Sequence, residues 1–194
     1  FLAHLASYYL IATSAKAAAV SSFYSIQCAL IPNLAGEIFV PLLSHIVGLD
    51  IAAKLFISAG VALWVIGPAL VHRALFGRIG IAPLVAAMFA YNANFTWGFL
   101  NYYFAVGAAF VVFAFWIATA ARRGVLQFIV FTLAVTAVYF SHVFAAATLL
   151  LLIGCYELDG LLRNPSLRDA ARCGISIAIP FVPAVLAFVL LKPK

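Results

Sequence analysis

The sequence predicts an all-α polytopic transmembrane bundle of about six spans, with interfacial helices in its first 50 residues. Composition is the first ground: 68% of the 194 residues are apolar or aromatic and 8% are charged, whereas soluble domains run near half apolar and a quarter charged. Mean hydropathy is +1.19, more apolar surface than a water-soluble fold can bury. Second, the apolar text falls into runs of about the 20 residues that cross a hydrocarbon layer of roughly 30 Å. Third, the 11 basic residues come in twos and threes between those runs. They form no stripe of the kind a nucleic acid would need, so they read as topology signals and no nucleic-acid partner is expected.

Two regions follow. Residues 1–50 carry Lys16 within alanine-rich text, then Pro32-Asn33, Glu37, Pro41, His45 and Asp50. Asn33 suits an N-cap, and Leu34, Ile38, Leu42 and Ile46 recur at a helical period. Helices lying at the interface are expected there. Residues 51–194 form the transmembrane bundle, with spans near 51–72, 79–93, 98–121, 125–140, 143–157 and 173–191. As one helix, the apolar text from Gly124 to Glu157 would be about 50 Å long at 1.5 Å per residue. It is therefore split at Ser141-His142.

That split also sets orientation. With it, Arg73, Arg78, Arg122, Arg123, Arg163, Arg168 and Arg172 fall on one side, which the positive-inside tendency makes cytoplasmic. Lys16, Lys54, Lys192 and Lys194 lie on the other side. Asn164-Pro165-Ser166 predicts a turn, with Ser166 capping a short amphipathic helix that carries Arg168, Asp169 and Arg172. Pro68, Pro180 and Pro183 should kink their helices. Cys28, Cys155 and Cys173 are scattered, so neither a disulfide framework nor a metal site is indicated. No charged n-region with a cleavage site precedes the apolar text at Phe1, so no signal peptide is expected and the chain reads as a piece of something longer.

Polar groups in a membrane cost free energy, and where they gather a function is expected. His4, Asn33, Glu37, His45, Asp50, Asn92, Asn94, Asn101 and His142 map to the extracytoplasmic end, with Trp97 and Tyr102 among them. Glu37 is the candidate catalytic carboxylate, since an acid in apolar surroundings suits general acid or base work; the alternative is an interfacial group facing water or paired with Lys54. Asp50 is expected to cap the helix starting at Ile51. His142, at a tight helical turn, is the second catalytic candidate, with a purely structural role as its alternative. His4, Asn33, Asn94, Trp97 and Asn101 are the substrate-binding candidates. His4 has no neighbour in the sequence to mark it as a ligand, and no H-x-x-x-H or H-E-x-x-H spacing exists, so no metal ligands are assigned. Gly98, Ala105, Gly107, Ala108, Ala109 and Ala114 give span 98–121 a small-residue face suited to close helix packing.

Four pieces of text, His4-Leu5-Ala6, Pro32-Asn33-Leu34-Ala35-Gly36-Glu37, Tyr91-Asn92 with Gly98-Phe99-Leu100-Asn101-Tyr102, and Tyr139-Phe140-Ser141-His142, carry a resemblance. In them, across roughly residues 1–160, the chain resembles a family of bacterial polytopic membrane proteins related to the GT-C glycosyltransferases. The resemblance implies sugar transfer from a polyprenyl-phosphate donor at the extracytoplasmic face of the bacterial inner membrane. It also implies a carboxylate in the first external loop, acting as the base or as the partner of a divalent metal. Such enzymes carry that acid just after the first span; no Asp or Glu precedes Glu37 here, so the implied acid falls ahead of Phe1, with Glu37 as its substitute. The alternatives are a non-catalytic subunit or scaffold of a larger membrane complex, with other membrane subunits as partners, and third a transporter. Membrane lipids are partners in every case.

Overall fold

A computed structural model describes residues 2–13, 31–120, 124–163 and 165–191. Lys16, Cys28, Arg122, Arg123, Asn164, Lys192 and Lys194 lie outside the described residues. The helices are α1 (Leu2–Thr13), α2 (Ala35–Val47), α3 (Leu49–Phe76), α4 (Ala82–Met88), α5 (Ala93–Thr96), α6 (Leu100–Ala118), α7 (Val125–Ser141), α8 (Val143–Arg163) and α9 (Leu167–Leu190). Among the described residues every regular element is helical, and the all-α bundle stands.

Among the described residues four helices, α3, α6, α8 and α9, are long and apolar enough to cross a membrane. The chain is an integral membrane protein. α7, with 17 residues, is about 26 Å long at 1.5 Å per residue, close to the hydrocarbon thickness. It ends at Ser141, His142 is its C-cap, and α8 begins at Val143. The turn that length demanded lies at the expected residues.

α6 is the central helix. Buried residues fill 61% of its most apolar window, against 17% in α3, 22% in α8 and 28% in α9, whose remaining faces are left to lipid. It packs on α3, α7 and α8. Its small residues are spent in those contacts. A Cβ on Gly107 would stand 2.7 Å from Leu63 Cβ, and one on Gly67 of α3 would stand 2.7 Å from Phe110 Cβ. Small side chains let the two backbones approach and gain dispersion contacts, which drive helix association where lipid removes the hydrophobic term.

The register of these contacts fixes the direction of the helices. Phe56 stacks on Phe104 at 4.9 Å, Leu63 meets Gly107 and Gly67 meets Phe110, so α3 and α6 run parallel. α8 is parallel to α6 as well, with Tyr102 against His142 at 5.0 Å and Phe113 against Tyr156 at 6.2 Å. Two parallel neighbours need a return between them. α7 returns the chain from α6 to α8; residues 77–99 return it from α3 to α6.

That second return departs from expectation. Instead of a helix over 79–93, it holds the seven-residue α4, a turn, and the four-residue α5. Seven residues rise about 10 Å, too little to cross. The backbone bends after Met88 because Ala90 is tied to α6, as described below. Irregular backbone at such a place needs protein partners for its carbonyls, since lipid offers none.

Three other boundaries differ. Gly48, with φ of +80°, precedes α3, so Asp50 does not cap it; Asp50 lies in the first turn, where its charge meets the helix dipole. Ser166 does cap, accepting from Asp169 N–H at 3.4 Å. The helix it starts is not a separate amphipathic piece but α9 itself, running unbroken through Pro180 and Pro183. Within residues 1–50, α2 has 13 residues, too short to span, and the described part of α1 covers 12. Ile38, Leu42 and Ile46 of α2 are exposed, the apolar stripe of an interfacial helix.

Candidate functional site

The amide-rich end is built on a bent junction. Asn33 takes φ of +92°, a left-handed conformation that Asn tolerates better than most side chains. In that bend the N–H groups of Asn33 and Leu34 both donate to Phe140 O, at 3.0 and 2.8 Å. Phe140 lies in the last turn of α7, where carbonyls lack helical partners. Asn33 is therefore not the N-cap of α2; that position belongs to Leu34, and the Asn33 backbone is the hinge that docks α2 on α7.

Asn101, in the first turn of α6 and only 2% exposed, closes the junction. Its Oδ1 accepts from Gly36 N–H at 2.7 Å, and its Nδ2 donates to Asn33 O at 2.8 Å and to Glu37 Oε2 at 2.7 Å. Both amide hydrogens and the carbonyl are used, as burial of an amide requires. Glu37 is half-buried and its Oε1 has no hydrogen bond among the described residues. Lys54 is not its partner: the Lys54 ammonium pairs with Asp50, one turn before it on α3.

Tyr8 of α1 completes the cluster. Gly36 has no room for a Cβ, which would collide with the Tyr8 phenol and stand 3.0 Å from Asn101 Oδ1. Tyr8 is 1% exposed and its hydroxyl has no partner among the described residues. Burial first, and the Glu37 charge second, push its pKa up, so the phenol stays protonated. A buried unpaired hydroxyl costs about 1–3 kcal/mol, and its removal returns that cost. Tyr8→Phe is accordingly expected to raise the thermal midpoint by a few degrees in detergent; a lowered midpoint would show that the hydroxyl has a stabilising partner.

A second set of ties holds the irregular return. Tyr103, buried in α6, donates from its hydroxyl to Ala90 O at 2.5 Å. Its ring stacks on Trp64 at 5.2 Å, and Trp64 Nε1–H donates to Tyr103 O at 2.8 Å. His4 does have a partner: its Nε2–H donates to Gly98 O at 2.9 Å, across 94 residues of sequence. Gly98 takes φ of +82°, which glycine alone adopts freely. Asn92 caps α5, accepting from Phe95 N–H at 3.2 Å.

His142 lies on the other flank of α6. Tyr102 meets it edge-on, Phe144 leans on it at 5.8 Å, and Phe144 N–H donates to its Nδ1 at 3.3 Å. That bond leaves the ring proton on Nε2. Burial lowers the His142 pKa, so the imidazole is neutral at neutral pH. With Asn94, Phe99, Tyr102, Phe144 and Leu151 it lines a groove of about 530 Å³. Trp97 is 75% exposed beside Phe99.

Of the residues singled out from sequence, the structure thus gathers Asn33, Glu37 and Asn101 in one cluster. Asn94 and His142 share a separate groove, His4 braces the return, and Trp97 faces outward. Tyr8 and Tyr103 were not singled out. Tyr8, one turn after His4 on the same helix, carried the only local signal.

The arginine end is equally well defined. Trp116 Nε1–H donates to Glu157 at 2.7 Å. Arg163 pairs with Asp159 and Arg172 with Asp169, around a cavity of about 680 Å³. Arg73 lies near Ala118 at the same end.

Among the described residues no three His, Cys, Asp or Glu side chains converge, and the groups nearest the Glu37 carboxylate are an amide and a backbone carbonyl. Comparison with known protein families, with curated proteins and with solved structures finds no significant match.

Proposed function

We propose that this protein, or a larger one of which it is the membrane part, transfers a sugar from a polyprenyl-phosphate donor to an acceptor hydroxyl. In this reading the amide-rich end is extracytoplasmic, the arginine end is cytoplasmic, and the membrane is the bacterial inner membrane. The supporting observation is Glu37, a half-buried carboxylate oriented through one oxygen by a fully buried amide, with the other oxygen unspent. A general base needs that arrangement: fixed on one side, available on the other.

Glu37 Oε1 takes the proton of the acceptor hydroxyl as its oxygen attacks the anomeric carbon. The bond from that carbon to the phosphate oxygen breaks, and its electron pair leaves on the polyprenyl phosphate. No step passes through a metal. His142 enters as a neutral hydrogen-bond donor to substrate, and Asn101 as the positioning residue of Glu37.

The test is release of polyprenyl phosphate from undecaprenyl-phosphate-linked hexoses by the purified protein in lipid nanodiscs. Glu37→Gln keeps an oxygen for the Asn101 bond and removes the base. It should lower turnover by about 10²–10⁴ at an unchanged thermal midpoint, and His142→Ala should impair transfer as well. Wild-type rates in both variants would remove these residues from the mechanism.

The subunit reading has less to rest on, because Gly107 of the small-residue face of α6 packs against Leu63 of α3 within the chain. Co-purification with other membrane proteins at fixed stoichiometry, without bound polyprenyl lipid, would restore it. The transporter reading gains the broken return of residues 77–99, yet the described charged groups gather at the ends of the bundle, not at its middle.

A further inference from the structure

We propose that the His142 groove, separate from the Glu37 cluster, binds the neutral sugar headgroup of a glycolipid. The groove has the two surfaces a sugar needs. Phe99, Tyr102 and Phe144 offer aromatic faces and edges, and Phe99 and Phe144 are more than half exposed. Pyranose C–H faces pack on such rings, burying apolar area while their hydroxyls stay at the rim.

The hydrogen-bonding groups match as well. The His142 ring proton sits on Nε2, because Nδ1 is occupied by Phe144 N–H. The side-chain amide of Asn94 has no hydrogen bond among the described residues; only its backbone carbonyl is used, by Phe99 N–H at 2.9 Å. Thr148 donates its hydroxyl proton to Phe144 O at 2.9 Å, and its oxygen can still accept. The groove therefore presents donors on His142 and Asn94, and acceptors on Asn94 and Thr148. Adjacent hydroxyls of a sugar, each both donor and acceptor, satisfy such a mixture.

Charge decides between sugar and phosphate. Among the described residues no Lys, Arg, Asp or Glu lines the groove. A phosphate brought there would be desolvated without a cation, which costs far more than a neutral hydroxyl does. Below the polar rim, Ala147 and Leu151 continue the wall along α8, away from His142. That is where the apolar tail of an amphiphile would lie.

The experiment uses the protein in nanodiscs prepared without glycoside detergent, and a decyl β-glucoside carrying a diazirine on its sugar. Photolabelling should fall within 94–102 and 142–151, be competed by decyl glucoside, and resist decyl phosphate and decanol. His142→Ala and Asn94→Ala should each weaken competition by about tenfold, the worth of one or two net hydrogen bonds. Phe144→Ala, at an exposed position, tests the stacking face with little risk to folding and should weaken it similarly. Labelling spread over the lipid-facing surface, or equal competition by decyl phosphate or decanol, would overturn the proposal. Groove labelling without any transfer from polyprenyl-phosphate donors would leave the groove standing and remove the transferase reading; transfer without groove labelling would do the reverse.

Discussion

Replacing Asn101 by leucine is expected to destabilise the protein by roughly 3–6 kcal/mol, because the buried Gly36 N–H loses its partner and the Asn33 carbonyl and Glu37 each lose a donor. Leucine fills similar space, so the loss reports hydrogen bonds and not a cavity. The Gly36 N–H, on a buried residue beside the buried Asn101, has no water or lipid group to turn to. For a chain of this size that corresponds to a drop of about 10–20 °C in the thermal midpoint. Asn101→Asp sharpens the result. It keeps an acceptor for Gly36 but sets a second carboxylate against Glu37; adding Glu37→Gln restores a donor to face it. The double variant should therefore melt above Asn101→Asp alone. An Asn101→Leu protein that melts like wild type would show that the amide does not hold the two elements together.

The second large effect concerns the parallel helices. Gly107→Val would place its Cβ 2.7 Å from Leu63 Cβ and 3.1 Å from the Leu63 carbonyl carbon. Backbone cannot rotate away as a flexible side chain can, so α3 and α6 must separate. Separation also pulls Trp64 from Tyr103, whose hydroxyl holds Ala90. Overpacking of this kind costs about 3 kcal/mol or more, and the purified protein should run as aggregate or melt early in detergent. Gly160→Ala and Gly174→Ala, where nothing lies within 4 Å of the added Cβ, are the controls and should change stability by about 0.5 kcal/mol or less. Equal behaviour of all three variants would refute close packing at Gly107.

The legible parts of this fold are those that length and solvent decide. The stretch from Gly124 to Glu157 could not be one helix inside a bilayer, and the break falls at His142. The exposed stripe of α2 followed from its period, because Ile38, Leu42 and Ile46 stay exposed among the described residues. Residues 79–93 misled for the same reason that the others did not: an apolar run of crossing length does not reveal whether its backbone is helical. There the outcome rests on the Tyr103 hydroxyl and the Ala90 carbonyl, a tie set by tertiary contact.

Asn33 shows the same limit. Its residue type fits a cap, but its backbone was taken by Phe140 of α7, more than a hundred residues away. At the candidate site, the clustering of Asn33, Glu37 and Asn101 at one end followed from topology. Their mutual bonds did not, since they join residues 64 to 68 apart in sequence. Tyr8 had no local mark beyond its position one turn after His4.

The measurement that most directly tests the proposed orientation, with α6, α7 and α8 crossing in turn so that amides and arginines lie on opposite faces, is cysteine accessibility in intact cells. The native cysteines Cys28, Cys155 and Cys173 are first replaced, and single cysteines are then placed at the exposed positions Trp97 and Leu162. A membrane-impermeant maleimide should label position 97 in intact cells, and position 162 only after the membrane is opened. Labelling of both positions from the same side would contradict three successive crossings by α6, α7 and α8, and with them the assignment of the Glu37 cluster to the face opposite the arginines.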